Sequence, residues 1–156
     1  MKKTMTSINP PFSQLILDGK KKIEWRTKPL PLGWSELYET KKKGGCGKVI
    51  GQFEVVQNIK FNLQGDTYRP HLIEKGCVPY EFLVEYANGK DYLYANVIDR
   101  VERYDKSKEL FDFANYVKYQ VCKERNCFSD NCWICPNNAI VIRPPQSWCY
   151  IESLGE

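Results

Sequence analysis

A chain of 156 residues, 42% hydrophobic and 27% charged, carries enough apolar material for one compact core, which argues against a disordered polymer or a pair of domains. No apolar run approaches the roughly 20 residues needed to cross a bilayer, and MKKTMTSINPPF has a basic start without the apolar block of a signal peptide, so a soluble, cytoplasmic protein is expected. The net charge of +4 is uneven, because residues 1–48 hold eleven Lys or Arg against four Asp or Glu; such clustering attracts polyanions and makes nucleic acid the natural partner class, although a solvated lysine-rich face has the same composition.

The first element expected is a short helix in INPPFSQLILDGK. Asn9 can cap it, Pro10 suits its first turn, Gly19 suits the left-handed position after its end, and Ile8, Phe12, Leu15 and Ile16 form one apolar stripe. Strands follow at 22–27 and at 35–40 (SELYET), then KKKGGCGK forms a loop. A phosphate-cradling role for that loop lacks the strand-to-helix context of a P-loop, so it reads as a plain hairpin connection to a strand at 48–59. A helix opened by Pro79 and closed before Gly89 comes next. It is followed by a strand at 91–104, a helix at 107–117 capped by Ser107, and strands at 139–142 and 147–152. Six strands with inserted helices predict an α+β domain, residues 1–156, built around a small curled sheet or barrel, with a cysteine-rich loop at 118–138.

Within the first predicted strand, alternate side chains share a face, so Glu24 and Arg26 project together about 6 to 7 Å apart while Ile23 and Trp25 point into the core. Lys21, at the exit of the helix, is close enough to join them. Charged edge strands also block unwanted pairing, so position alone does not make this a site. Together the three could bind a polar or anionic ligand: Arg26 offers a fork for phosphate or a base edge, and Glu24 can accept protons or act as a general base.

GKKKIEWR matches the G-x-K-x-x-E-x-R signature of the ASCH domain at Gly19, Lys21, Glu24 and Arg26. LYET and GKVIGQFEV resemble the strands that follow it, and RPPQSWCYIE is similar to the closing strand of bacterial and prophage members. The resemblance implies a PUA-like fold, a small β-barrel with flanking short helices and a cleft beside the signature strand. It implies a cleft that takes RNA or a nucleotide-like ligand, with Lys20, Lys21, Glu24 and Arg26 as binding candidates. Ser147, which resembles a recurrent serine of the family's cleft, is another.

Some members are thought to act as transcription coactivators, so a protein-interaction adaptor is an alternative. Others hydrolyse, including a branch that deacetylates acetylated cytidine with a lysine and a threonine. Lys21 matches that lysine, but Glu24 replaces the threonine and removes that nucleophile. If the chain is an enzyme, the expectation is a hydrolase of amidohydrolase or ribonuclease type acting on a modified nucleoside or RNA, with Lys21 and Glu24 as the proton-handling pair. In the closing strand Trp148 and Tyr150 share a face and read as core, although a ring near hydroxyl and amide groups would also suit a nucleobase.

Seven cysteines, an odd number with no secretory leader, argue against a secreted disulfide framework. Cys122, Cys127, Cys132 and Cys135 end in C-x-x-C, and four thiolates converging at about 2.3 Å would hold one structural zinc with no vacant position for water. Reduced thiols or pairs oxidised in handling are the alternatives. Cys46 and Cys77 carry no motif, and His71 reads as a surface or helix-start residue.

Overall fold

The computed structural model describes residues 3–65, 69–124, 139, 141 and 143–154. In chain order the elements are β1 (Lys3–Ile8), α1 (Phe12–Leu17), β2 (Ile23–Arg26), β3 (Gly33–Glu39), β4 (Lys48–Asn62), α2 (Pro70–Lys75), α3 (Tyr80–Ala87), β5 (Tyr92–Lys108), β6 (Phe113–Asn115), α4 (Tyr116–Glu124) and β7 (Trp148–Ser153), with single 3-10 turns at Lys42–Gly44 and Leu110–Asp112. The class is α+β, as expected, with seven strands among the described residues rather than six. No helix among them is long and apolar enough to cross a membrane.

The chain divides into two compact units. The first holds residues 1–10, 35–51 and 104–156, and the second holds 11–34 and 52–103. In the first unit the ladder runs β4, β3, β1, β7, β6. There β1 pairs parallel with β3 (Met5 opposite Glu36) and antiparallel with β7 (Met5 opposite Cys149). Its core gathers Met5, Tyr38, Val49, Phe113, Val141 and Ile151. In the second unit the ladder runs β2, β5, β4, with β2 antiparallel to β5 so that Glu24 faces Asn96 and Arg26 faces Tyr94. Its core is Ile23, Trp25, Phe61, Leu72, Leu83 and Leu93 with their neighbours, each large apolar side chain contributing on the order of 1.5–3 kcal/mol by leaving water.

Several local expectations are corrected. Strand β1 was not anticipated: KTMTSI has no apolar alternation, yet Thr4, Thr6 and Ser7 are buried because β1 lies between β3 and β7, where Thr6 Oγ1 bonds Ser35 Oγ at 2.7 Å. Ile8 therefore belongs to a strand, and Asn9 does not cap α1; its Oδ1 accepts the Thr40 hydroxyl at 2.6 Å, while Pro11 occupies the cap position without a side-chain bond. Gly19 does take the left-handed conformation, at φ +72°. The helix expected at 107–117 is instead the end of β5, a 3-10 turn, β6 and the start of α4. Phe113 and Ala114 are buried by pairing with β7, and this tertiary pairing overrides their local helix pattern. Helix α2, opened by Pro70, was missed.

Ala139 and Val141 are hydrogen-bonded to β6, at 2.6 Å from the Asn115 N–H to the Ala139 carbonyl and 2.9 Å from the Val141 N–H to the Phe113 carbonyl. KKKGGCGK joins neighbouring β3 and β4, as a hairpin connection should. Cys127, Cys132 and Cys135 lie outside the described residues, and Cys122 sits in α4.

Candidate functional site

The second unit positions the signature residues through the turn that ends α1. The Gly19 N–H reaches the Ile16 carbonyl at 2.9 Å, and the amides of Lys20 and Lys21 both reach the Leu15 carbonyl at 3.0 Å, a reversal that requires the positive φ of Gly19. The chain leaving it sends Lys21 inward and leaves Lys20 and Lys22 exposed on either side. Lys21 is 2% exposed, a rare state for an ammonium, and it is accommodated by three groups. Its Nζ donates to the Gly76 carbonyl at 2.5 Å, lies 3.5 Å from Glu24 Oε2, and sits 5.2 Å from the centre of the Phe12 ring.

Glu24 is 7% exposed, and its Oε1 accepts from Arg26 Nε at 3.0 Å. One carboxylate thus bridges two cations, with Arg26 the outermost of the three. Burial pulls the Lys21 ammonium below the ordinary lysine value, and the Glu24 charge and hydrogen bond oppose that shift. Tyr86 on α3 lies within the field of the same groups. Burial raises its phenol, the Arg26 charge lowers it and the Glu24 charge raises it.

The expected alternation on β2 is present, but both faces are covered: Ile23 and Trp25 enter the core while Glu24 is buried on the other side. Two supports hold this geometry. Asn96, wholly buried on β5, donates Nδ2 to the Glu24 carbonyl at 2.8 Å and accepts from the Leu30 N–H at 2.8 Å and Asn58 Nδ2 at 2.7 Å, fixing β2 and the segment after it. Gly76, at the end of α2, lies so close to Trp25 that a Cβ there would stand 2.0 Å from Nε1. That approach lets the Gly76 carbonyl reach Lys21 and leaves Trp25 Nε1 buried with no hydrogen bond among the described residues.

Lys21, Glu24 and Arg26 are therefore brought together. Ser147 lies in the first unit, exposed, with its carbonyl accepting the Ser7 N–H at 3.0 Å. Trp148 and Tyr150 are half-buried there, their rings edge to face at 5.2 Å. His71 is exposed. Sequence reasoning missed Gly76, Asn96 and Tyr86. An asparagine inside the apolar run YLYANVI was the available signal for Asn96, whereas Gly76 and Tyr86 gave none.

The structure aligns with the crystal structure of ASCH from Zymomonas mobilis at a TM-score of 0.65 and 20% identity, covering 96% of this chain and 87% of that one. The chain has the ASCH fold. A tyrosine-to-phenylalanine mutant of the Zymomonas protein aligns at 0.65 and 19% identity, over 97% of this chain and 91% of that one. A serine-to-alanine mutant gives 0.65 and 18%, over 96% and 88%. No family model matches the sequence, and no curated protein does. In this chain β2 stands at the margin of its ladder, and the Lys22 N–H just before it bonds the Lys75 carbonyl at the end of α2 at 2.8 Å.

Proposed function

We propose that this chain is a cytoplasmic ASCH-domain protein that recognises RNA, or a nucleotide-like ligand, through Lys21, Glu24 and Arg26. The observation that carries the reading is the convergence of Lys21, Glu24 and Arg26, with the carboxylate between the two cations, Lys21 and Glu24 buried and Arg26 half-buried. Desolvating charges is costly, and apolar residues of the same size would serve stability at least as well, so the cluster is better explained by an anionic partner that meets Arg26 first. Glu24 holds the guanidinium in a fixed orientation, which suits directed hydrogen bonds to a phosphate or a base edge. Exposed Lys20 and Lys22 supply the phosphate-facing charge beside it. Titrating labelled RNA at increasing salt tests this: affinity falls steeply with salt, and Arg26→Ala weakens it about tenfold. RNA binding indifferent to both salt and Arg26 would refute it.

A second reading has its own support. Burial lowers the Lys21 pKa and so makes its proton easier to give up, and Glu24 stands 3.5 Å away to exchange it. Hydrolysis of a modified nucleoside or RNA would use that pair, and incubation with a panel of such substrates tests it. Turnover that survives both Lys21→Ala and Glu24→Gln clears the pair of the role. A structural zinc on Cys122, Cys127, Cys132 and Cys135 is proposed from the sequence alone. Freshly reduced protein should then carry about one zinc per chain, and a ratio near zero rejects it.

A further inference from the structure

Helix α3 turns two aromatic rings outward that the core does not need. Leu83 and Ala87 are buried, whereas Phe82 and Tyr86, one helical turn apart, are 42% and 39% exposed. Their rings are nearly parallel, 9° between planes and 6.3 Å between centres. Phe82 in turn meets Phe12 at 6.2 Å, and Phe12 lies under the Lys21 ammonium at 5.2 Å. The aromatic series therefore starts at the buried end of the charged cluster. Tyr86, stacked on Phe82, continues the series outward along α3.

Resting on the RNA reading above, we infer that Phe82 and Tyr86 are a stacking shelf for an unpaired nucleobase of single-stranded RNA, whose edge is read by Arg26. The charges around the shelf favour this occupant. Glu81 and Glu85, both exposed on α3 and each next in sequence to one of the rings, repel phosphate, so the sugar-phosphate backbone does not run along the helix, whereas a flat, uncharged base meets no such repulsion. Positive charge for the backbone stands nearby instead. The Lys22 N–H bonds the Lys75 carbonyl at 2.8 Å and Cys77 Sγ reaches the Lys20 carbonyl at 3.6 Å, which gathers the exposed Lys20, Lys22 and Lys75 around the end of α2. A base in a duplex offers no free face to the rings, so the shelf requires a single strand.

The test is fluorescence anisotropy with three probes of equal length: a labelled single-stranded RNA, the same RNA in a duplex, and an abasic strand. Wild type binds the single strand most tightly. Phe82→Ala, Tyr86→Ala and Tyr86→Leu each lower single-strand affinity about tenfold and reduce the preference over the abasic strand. Tyr86→Leu keeps side-chain bulk, so its loss separates stacking from packing. Their salt dependence stays parallel to wild type, and Val84→Ala, exposed on the same helix, binds as wild type does. If the ring variants bind single strands normally while Arg26→Ala does not, the shelf is refuted and the cluster reading stands. Equal wild-type affinity for duplex and single strand also refutes the shelf, and wild type that binds none of the probes overturns both.

Discussion

Glu24 in the second unit and Glu36 in the first are both buried, at 7% and 0% exposed, yet their partners differ. Glu36 accepts the Tyr104 hydroxyl at 2.7 Å and faces Lys3 Nζ at 3.5 Å, with the Lys3 side chain 34% exposed. That lysine keeps a route to water. Glu24 bridges two cations, one of them sealed from water and held by a backbone carbonyl. The difference lies in the cation: the lysine beside Glu36 reaches water, whereas the lysine beside Glu24 is desolvated.

The contrast breaks most visibly in stability. Glu24→Ala strands the Lys21 ammonium without a counter-charge and should cost about 3–5 kcal/mol in urea unfolding, whereas Glu36→Ala should cost about 1–3 kcal/mol because Lys3 can turn to solvent. Equal losses would erase the distinction. Next in size, Gly76→Ala drives a methyl into Trp25 and should cost about 1–3 kcal/mol by overpacking. Gly65→Ala, whose Cβ would find its nearest neighbour at 3.5 Å, should stay within about 0.5 kcal/mol.

The smallest effect is a pH dependence. Because burial holds Lys21 below the ordinary value of 10.5, the unfolded chain binds the extra proton between the depressed folded pKa and 10.5. The stability of wild type relative to Lys21→Met should therefore be flat below that window and rise with pH across it. A difference that falls with alkaline pH would mean the ammonium is not desolvated.

Much of the second unit was legible because its rules are local. Gly19 ends a helix, β2 alternates, and Pro79 opens α3, each within a few residues. The signature brought Lys21, Glu24 and Arg26 forward as a group, and their convergence follows from one turn and one strand. What was hidden depends on distant chain. Strand β1 is a strand because β3 and β7 flank it, and nothing in KTMTSI records that. Glu36, in the SELYET strand, is wholly buried, and nothing local in that stretch marks it. Residues 107–117 have a helix-like pattern that pairing with β7 overrides at Phe113 and Ala114. Gly76 reaches Lys21 across 55 residues of sequence, a closeness only the packing of α2 on Trp25 provides.

The central claim is that the cluster, and not positive charge in general, takes RNA. Arg26→Ala and Lys3→Ala each remove one positive charge, one beside Glu24 and one beside Glu36, and their affinities for the same single-stranded RNA at one fixed salt concentration compare them directly. The expected result is about a tenfold loss for Arg26→Ala and less than about twofold for Lys3→Ala. Equal losses from the two substitutions would contradict it.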